Sequence, residues 1–204
     1  MHQDHPIKKI KIGRIKQRLG LSFLAAGFDR IVVGLGGYLH KKGLISEVVL
    51  VDDMTGLFNR SFFDLWYPKL VDQAARAGIE LTLVYLDLDG LKETNDRLGH
   101  QAGDKLIINF SRLLKGATRQ SDSLFRLGGD EFALVLWGTA QPEAVCVLDR
   151  IKKKAQKSGI KFSYGLAWLD ENRGFAELLA VADERMYEMK RESKTARSLK
   201  QSRG

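Results

Sequence analysis

The sequence predicts an α+β sandwich, with strands that neighbour one another through a hairpin and helices covering the sheet. Two observations carry this. The stretch LFRLGGDEFALVL (124–136) places a Gly-Gly turn between two apolar runs, which is the pattern of a β-hairpin. The segments beginning at Asp104, Pro142 and Phe175 instead repeat apolar residues at helical spacing. A hairpin joins its strands without a long crossover, so a doubly wound parallel sheet is not expected.

In chain order, residues 1–18 are rich in Lys and Arg, and 14–40 read as one or two helices. The GLGG run at 34–37 lacks a preceding strand and a following Lys-Ser/Thr, so it reads as a flexible loop rather than a phosphate cradle. Leu44, Val48 and Val51 sit at helical spacing and suggest a connector helix over 43–51. DDMTGLFNRSFF begins with turn formers at Asp52 and leads into a helix that runs to Ala77 and stops at Gly78. ELTLVYLDLDG (80–90) is a strand rich in Leu, Val and Tyr, and KETNDRLGHQAG (92–103) reads as polar and turn-rich. A helix from Asp104 turns Leu106, Ile107, Phe110, Leu113 and Leu114 inward. Strands follow at Leu124–Leu127 and Glu131–Trp137. Pro142 then starts a helix to Lys157 with Val145, Leu148, Ile151 and Ala155 inward. Ile160–Trp168 is a strand. Phe175–Arg191 is an amphipathic helix burying Leu178, Leu179, Ala182, Met186 and Met189, and 192–204 is a polar, basic tail. The organisation is a basic, helical segment over 1–50, a folded domain over 51–194 and a basic end over 195–204.

The net charge of +8 on 204 residues could suggest a nucleic-acid partner, but its distribution argues otherwise. Residues 1–50 hold 9 Lys/Arg against 3 Asp/Glu, and 190–204 hold 6 against 1, whereas 51–189 hold 18 against 21. The basic charge lies at the ends, which read as solvated, and no nucleic acid is expected as a partner. The lone Cys146 excludes an internal disulfide, suits a reducing cytoplasm and reads as small core filler. No apolar run is long enough to span a bilayer, since Asp29 and Arg30 interrupt the nearest, 19–39. No secretory signal is recognisable at the N-terminus.

The acids carry the functional reading. Asp87 and Asp89 close an apolar strand, where carboxylates are depleted and costly unless compensated. Asp130 and Glu131 sit at the turn of an equally apolar hairpin. If the two strands are neighbours, these carboxylates converge at one edge of the sheet and repel unless a cation intervenes. Hard oxygen donors favour Mg²⁺ or Mn²⁺, and Mg²⁺ held by one or two carboxylates plus substrate phosphates is the usual arrangement for phosphoryl transfer. Lys92, just past the strand, can reach a phosphate. Asn95 and Asp104 together can read a guanine edge, the Asp accepting from N1–H and the exocyclic amine. His100 reads as a loop residue, since no second His stands at ligand spacing. Arg126 is expected to pair with a carboxylate.

Four ordered segments resemble the GGDEF family of diguanylate cyclases: DDMTGLFNR (52–60), LDLDGLKETNDRLGHQAGD (86–104), RLGGDEF (126–132) and ADERMYEMK (182–190). The resemblance implies a palm-like α/β domain with a central, mostly antiparallel sheet flanked by helices. It implies condensation of two GTP into cyclic di-GMP and pyrophosphate across a two-fold homodimer. In that pattern Asp87 and Asp130 would hold two Mg²⁺ with help from the Leu88 carbonyl, and Asp130 or Glu131 would assist deprotonation of the attacking 3′-hydroxyl. Lys92 and Lys190 would contact phosphate, and Gly128 and Gly129 would let a triphosphate lie close to the backbone. Asn95 and Asp104 would bind guanine, with His100 also counted among the substrate contacts. RQSD (119–122) matches the family's RxxD inhibitory site, so Arg119, Asp122 and the secondary Arg150 would bind product. Three departures stand out: Gly90 and Leu91 replace aromatic residues, Lys194 replaces an arginine, and a β-hairpin common in the family before the last strand is absent. The expected function is a product-inhibited cyclase. The alternative is a catalytically inactive GTP or cyclic di-GMP receptor that regulates a partner protein.

Overall fold

A computed structural model describes residues 50–169 and 174–201. The expected N-terminal helices, the GLGG loop and the 43–51 connector lie outside the described residues. Five strands form one sheet in the order β1-β3-β4-β2-β5, where β1 is Phe58–Asn59, β2 Leu81–Leu88, β3 Ser123–Arg126, β4 Glu131–Trp137 and β5 Phe162–Trp168. Every pairing is antiparallel except the short β1–β3 contact. The α+β class and the mostly antiparallel sheet are as expected.

The connections are longer than the hairpin suggested. Only β3 and β4 are joined directly. The chain from β2 crosses to β3 through two helices, and the chain from β4 crosses to β5 through another. β2 therefore lies between β4 and β5, and all eight of its residues are buried. Such burial on both faces explains why it is a nearly continuous apolar run rather than an alternating one.

Helix α1 (Arg60–Ala77) is capped at its start by Asn59, whose side chain accepts from the Phe62 amide at 3.0 Å. It ends at Gly78 in the left-handed conformation, as the sequence implied. Two helices replace the expected turn-rich segment: α2 (Leu91–Leu98) and α3 (His100–Ala117). The α2 sequence LKETNDRL buries no residue, so it has no apolar period to detect. Its Leu, Lys, Glu and Arg are nonetheless good helix formers, and Gly90 and Gly99, both at φ +82°, set its limits. α4 (Gln141–Lys157) and α5 (Phe175–Gln201) complete the set, and α5 continues through the segment expected to be a tail. Residues 158–161 alone link α4 to β5, so the family's extra hairpin is missing among the described residues.

α3 and α4 cover one face of the sheet. Ile107, Phe110 and Leu114 of α3 and Ala144, Val147, Leu148 and Ile151 of α4 pack with Val84, Leu86, Phe132 and Leu134. Two expectations on α4 fail: Val145 is exposed and Cys146 is exposed rather than core filler. The buried stripe runs through Ala144, Val147 and Leu148, one residue to either side of the pair, and the small Ala144 lets the helix approach closely. α1 and α5 cover the other face. There Phe125 of β3 meets Phe62, Phe63 and Trp66, while Phe175 meets Phe63 and Tyr67.

α5 seats on β5 at Gly165, where an added Cβ would stand 1.8 Å from the Ala182 carbonyl oxygen and 2.5 Å from the Met186 amide. Both obstacles are backbone and cannot rotate away. Gly165→Ala is expected to destabilise the domain by about 2 kcal/mol or more, as overpacking does, lowering the melting temperature by several degrees. An unchanged melting curve would show that α5 is not held this closely.

Candidate functional site

The antiparallel register of β2 and β4 sets Asp87 directly opposite Glu131. Directly opposed residues share a face, so these two carboxylates point to the α1/α5 side of the sheet. The Leu88 amide donates to the Asp130 carbonyl at 2.8 Å, extending the ladder one step and holding the hairpin turn against the end of β2. Asp89 follows, accepting from the Ser163 hydroxyl at 3.2 Å. The two strands expected to be neighbours are so, and Asp87 meets Glu131 across them with the Asp130 turn alongside.

Asp87 is buried, and one of its oxygens accepts from the Lys190 ammonium of α5 at 2.7 Å. Its other oxygen, Oδ1, is buried with no hydrogen-bond partner. Burial pushes the Asp87 carboxyl above its ordinary range; the Lys190 hydrogen bond and charge oppose this, and Asp130 and Asp89 add to it. For Lys190, burial works against the charge, but Asp87 and the charges of Asp130 and Asp89 hold the ammonium above its usual value. An orphaned buried carboxylate oxygen next to further acids fits a divalent cation. Among the described residues no group of three or more His, Cys, Asp or Glu is placed to hold a metal ion by itself, so a cation here would rest on one or two carboxylates. An open set of this kind suits Mg²⁺, which takes few protein ligands and completes its octahedron with water and phosphate oxygens.

The turn is held by Arg126. Its Nε donates to the Gly128 carbonyl at 3.0 Å and its Nη2 to the Gly129 carbonyl at 3.1 Å. Its Nη1 forks onto both oxygens of Asp52 at 3.2 and 3.1 Å. The expected carboxylate partner is thus Asp52, which also accepts from the amide and hydroxyl of Thr55. Lys115 of α3 fixes the same 52–57 turn from another side, donating to the carbonyls of Thr55 and Gly56. Arg126 and Asp52 were legible in the sequence only as letters of their motifs. Their contact spans the chain and has no local period to reveal it.

Asn95 and Asp104 lie on α2 and α3, on either side of the Gly99 bend. Gly103, beside Asp104, is packed so closely that an added Cβ would stand 1.9 Å from Asn95 Oδ1, an atom buried without a hydrogen-bond partner. A side chain at 103 would therefore have to displace the Asn95 amide, a close contact with no local signal in the sequence. Asp104 falls inside α3 rather than at its start, because the helix begins at His100. Lys92, His100 and Asp104 are exposed, and Leu91 is half-buried against the α3/α4 core. Gly128 faces Glu131, whose Oε2 would lie 2.8 Å from an added Cβ, while Gly129 is open. The Lys194 side chain lies outside the described atoms.

Arg119, Asp122 and Arg150 gather elsewhere, beyond the C-terminus of α3. The Arg119 amide donates to Asp122 Oδ2 at 2.7 Å, and Arg150 Nε donates to the Ala117 carbonyl at 2.7 Å. Burial pushes the Asp122 carboxyl up, while the Arg119 amide and the charges of Arg119 and Arg150 oppose it. The Arg119 side chain is exposed beside this carboxylate.

The family model described as "Diguanylate cyclase, GGDEF domain" matches residues 49–196. The chain is 33% identical over 158 residues to the probable diguanylate cyclase DgcJ of Escherichia coli K12, covering 76% of this chain and 32% of that protein. It is 35% identical over 159 residues to the diguanylate cyclase TpbB of Pseudomonas aeruginosa, covering 72% and 37%. The solved GGDEF domain of TpbB superposes with a TM-score of 0.65 at 35% identity, covering 70% of this chain and 89% of that one. The GGDEF domain of DgcB from Caulobacter crescentus, solved in complex with c-di-GMP, gives 0.67 at 25% identity, covering 72% and 94%. The chain spans about a third of the length of these two relatives.

The Arg126 clamp has a pH signature. Burial works to raise the Asp52 carboxyl, but Thr55 and Arg126 outweigh it and hold it below its usual value. A depressed carboxyl stabilises the fold above its unfolded pKa, about 3.9, and that contribution is lost as pH falls through the lower folded value. Arg126→Ala is expected to cost about 2–3 kcal/mol at pH 7, from lost hydrogen bonds to a charged group and to two carbonyls. Denaturant unfolding should show the cost shrinking below about pH 4; a cost independent of pH would remove the ion pair from the account.

Proposed function

The chain belongs to the GGDEF family of diguanylate cyclase domains, and on that premise we propose that it condenses two GTP into cyclic di-GMP and pyrophosphate. The observation that carries this is the carboxylate set at the β2–β4 edge: buried Asp87 opposite half-buried Glu131, beside the Asp130 turn, with Asp87 Oδ1 lacking a partner. Lys190 meets one Asp87 oxygen but leaves Oδ1 unpartnered beside Asp130 and Asp89, and a ligand that completes this set is the economical explanation.

Asp87 and Asp130, with the Leu88 carbonyl, would hold Mg²⁺ or Mn²⁺. When bound, such ions draw charge from the transferring phosphoryl group and lower the pKa of the attacking hydroxyl. Asp130 or Glu131 accepts the 3′-hydroxyl proton as the oxygen attacks the α-phosphorus of the other GTP. The bond from that phosphorus to the α–β bridging oxygen breaks and pyrophosphate leaves; the reciprocal attack by the other GTP's 3′-hydroxyl closes the ring and releases the second pyrophosphate. Lys92 and Lys190 bind phosphate, and the bare backbone of Gly128 and Gly129 admits the triphosphate. Asn95 and Asp104 read guanine, and the carboxylate at 104 favours GTP over ATP, whose adenine edge lacks the N1–H donor. His100 lies in the same segment as a substrate contact. One domain holds one GTP, so two copies face each other at catalysis. Arg119, Asp122 and Arg150 bind product and slow the enzyme. No helix among the described residues is long and apolar enough to cross a membrane, and a cytoplasmic site of action fits the substrate. The receptor alternative is supported only by the replacements at Gly90, Leu91 and Lys194, none of which removes a proposed metal ligand.

Purified protein with Mg²⁺ and GTP is expected to release cyclic di-GMP and pyrophosphate, and Asp130→Ala to lower the rate by at least about a hundredfold, as loss of a metal or acid–base group does. Arg119→Ala should keep the initial rate and lose the slowing as product accumulates. Tight cyclic di-GMP binding with no turnover at any protein concentration would favour the receptor instead.

A further inference from the structure

Lys190 does more in this fold than wait for a phosphate. Its ammonium lies 2.7 Å from Asp87 Oδ2, in the place beside the buried carboxylate where a cation is needed. The side chain is 26% exposed against 6% for Asp87, so the lysine reaches in from the rim and can swing out, whereas the aspartate cannot move into water. α5 holds the lysine there. Its close seat at Gly165 fixes Ala182 and Met186, and the Met189 sulfur accepts from the Tyr164 amide at 3.4 Å. These contacts with β5 hold the backbone of the helix turn beside Asp87 and leave the exposed end of the Lys190 side chain able to turn outward.

We infer that Lys190 is a resident counter-ion for Asp87, released to the triphosphate when nucleotide arrives, so that divalent cation and nucleotide enter the site as a coupled pair. This rests on the cyclase reading but adds to it. A cation approaching the nucleotide-free site meets an ammonium already paired with its first ligand, and like charges there repel. An incoming triphosphate offers Lys190 a second anion, frees Asp87 Oδ2 and supplies further oxygens. By linkage the coupling is reciprocal: whatever factor nucleotide adds to cation affinity, cation adds to nucleotide affinity. A free divalent ion is then a weak ligand, and the site does not fill with metal alone.

The test is Mn²⁺ titration followed by electron paramagnetic resonance, with no nucleotide present. Lys190→Met is expected to bind Mn²⁺ about tenfold more tightly than wild type, the order of magnitude for removing one adjacent positive charge at a partly screened site. Lys190→Gln should behave likewise and serves if the methionine variant does not fold. Lys190→Arg, which keeps the charge, should stay near wild type. Adding a non-hydrolysable GTP analogue should tighten Mn²⁺ binding by wild type more than by Lys190→Met. A role confined to contacting phosphate would leave nucleotide-free Mn²⁺ binding unmoved. Equal Mn²⁺ binding by wild type and both neutral variants, including no binding by any, overturns the counter-ion role. The cyclase reading is judged separately, on whether wild type makes product from GTP.

Discussion

The site depends on the register between β2 and β4. Side chains alternate across a strand, so a slip of one residue would turn Asp87 away from Glu131 into the α3/α4 core and exchange the side chains packed on the two faces of β2. Burial of all of β2 makes such a slip prohibitive. Leu83 against Val135 and Tyr85 against Ala133 fix the pairing, and Asp87 against Glu131 is its last step. The hydrophobic core thereby sets the position of the acids. They stand in a place that stability alone would not choose, since a carboxylate buried beside other acids costs free energy and Lys190 meets only one of the Asp87 oxygens.

Two further constraints convert that register into a site of defined shape. Arg126 ties the Gly128 and Gly129 carbonyls to Asp52, so the turn bearing Asp130 is fastened to the beginning of the domain. Gly165 lets α5 approach the sheet backbone to backbone and brings Lys190 to Asp87. One contact sets the turn and the other sets the helix. Glycine is required at 165 for clearance rather than for a positive φ, as at Gly103 beside Asn95.

Much of this was readable in the chain. The apolar runs around Gly128 and Gly129 marked the hairpin. The acids at the ends of two apolar strands marked the site, because carboxylates in that setting need a reason. The α1 stop at Gly78 and the inward Leu178, Ala182 and Met186 followed from local chemistry. What escaped had no local signature. α2 is a helix without a buried face, so periodicity could not find it. β1 is too short to show an alternation. Cys146 and Val145 are exposed because the stripe on α4 passes on either side of them, a shift of one position that apolar residues at 144, 147 and 148 allow equally well. The Asp52–Arg126 contact joins residues 74 apart in the chain, and only the fold brings them together.

The central claim is that the β2–β4 edge is a metal and triphosphate site with a guanine pocket on α2 and α3. The most direct measurement is an anomalous diffraction map from crystals grown with Mn²⁺ and a non-hydrolysable GTP analogue. The account predicts manganese peaks beside Asp87 and Asp130, phosphates over Gly128 and Gly129, and a guanine edge against Asn95 and Asp104. Nucleotide bound elsewhere on the domain, or bound there without a metal peak near those carboxylates, would contradict it.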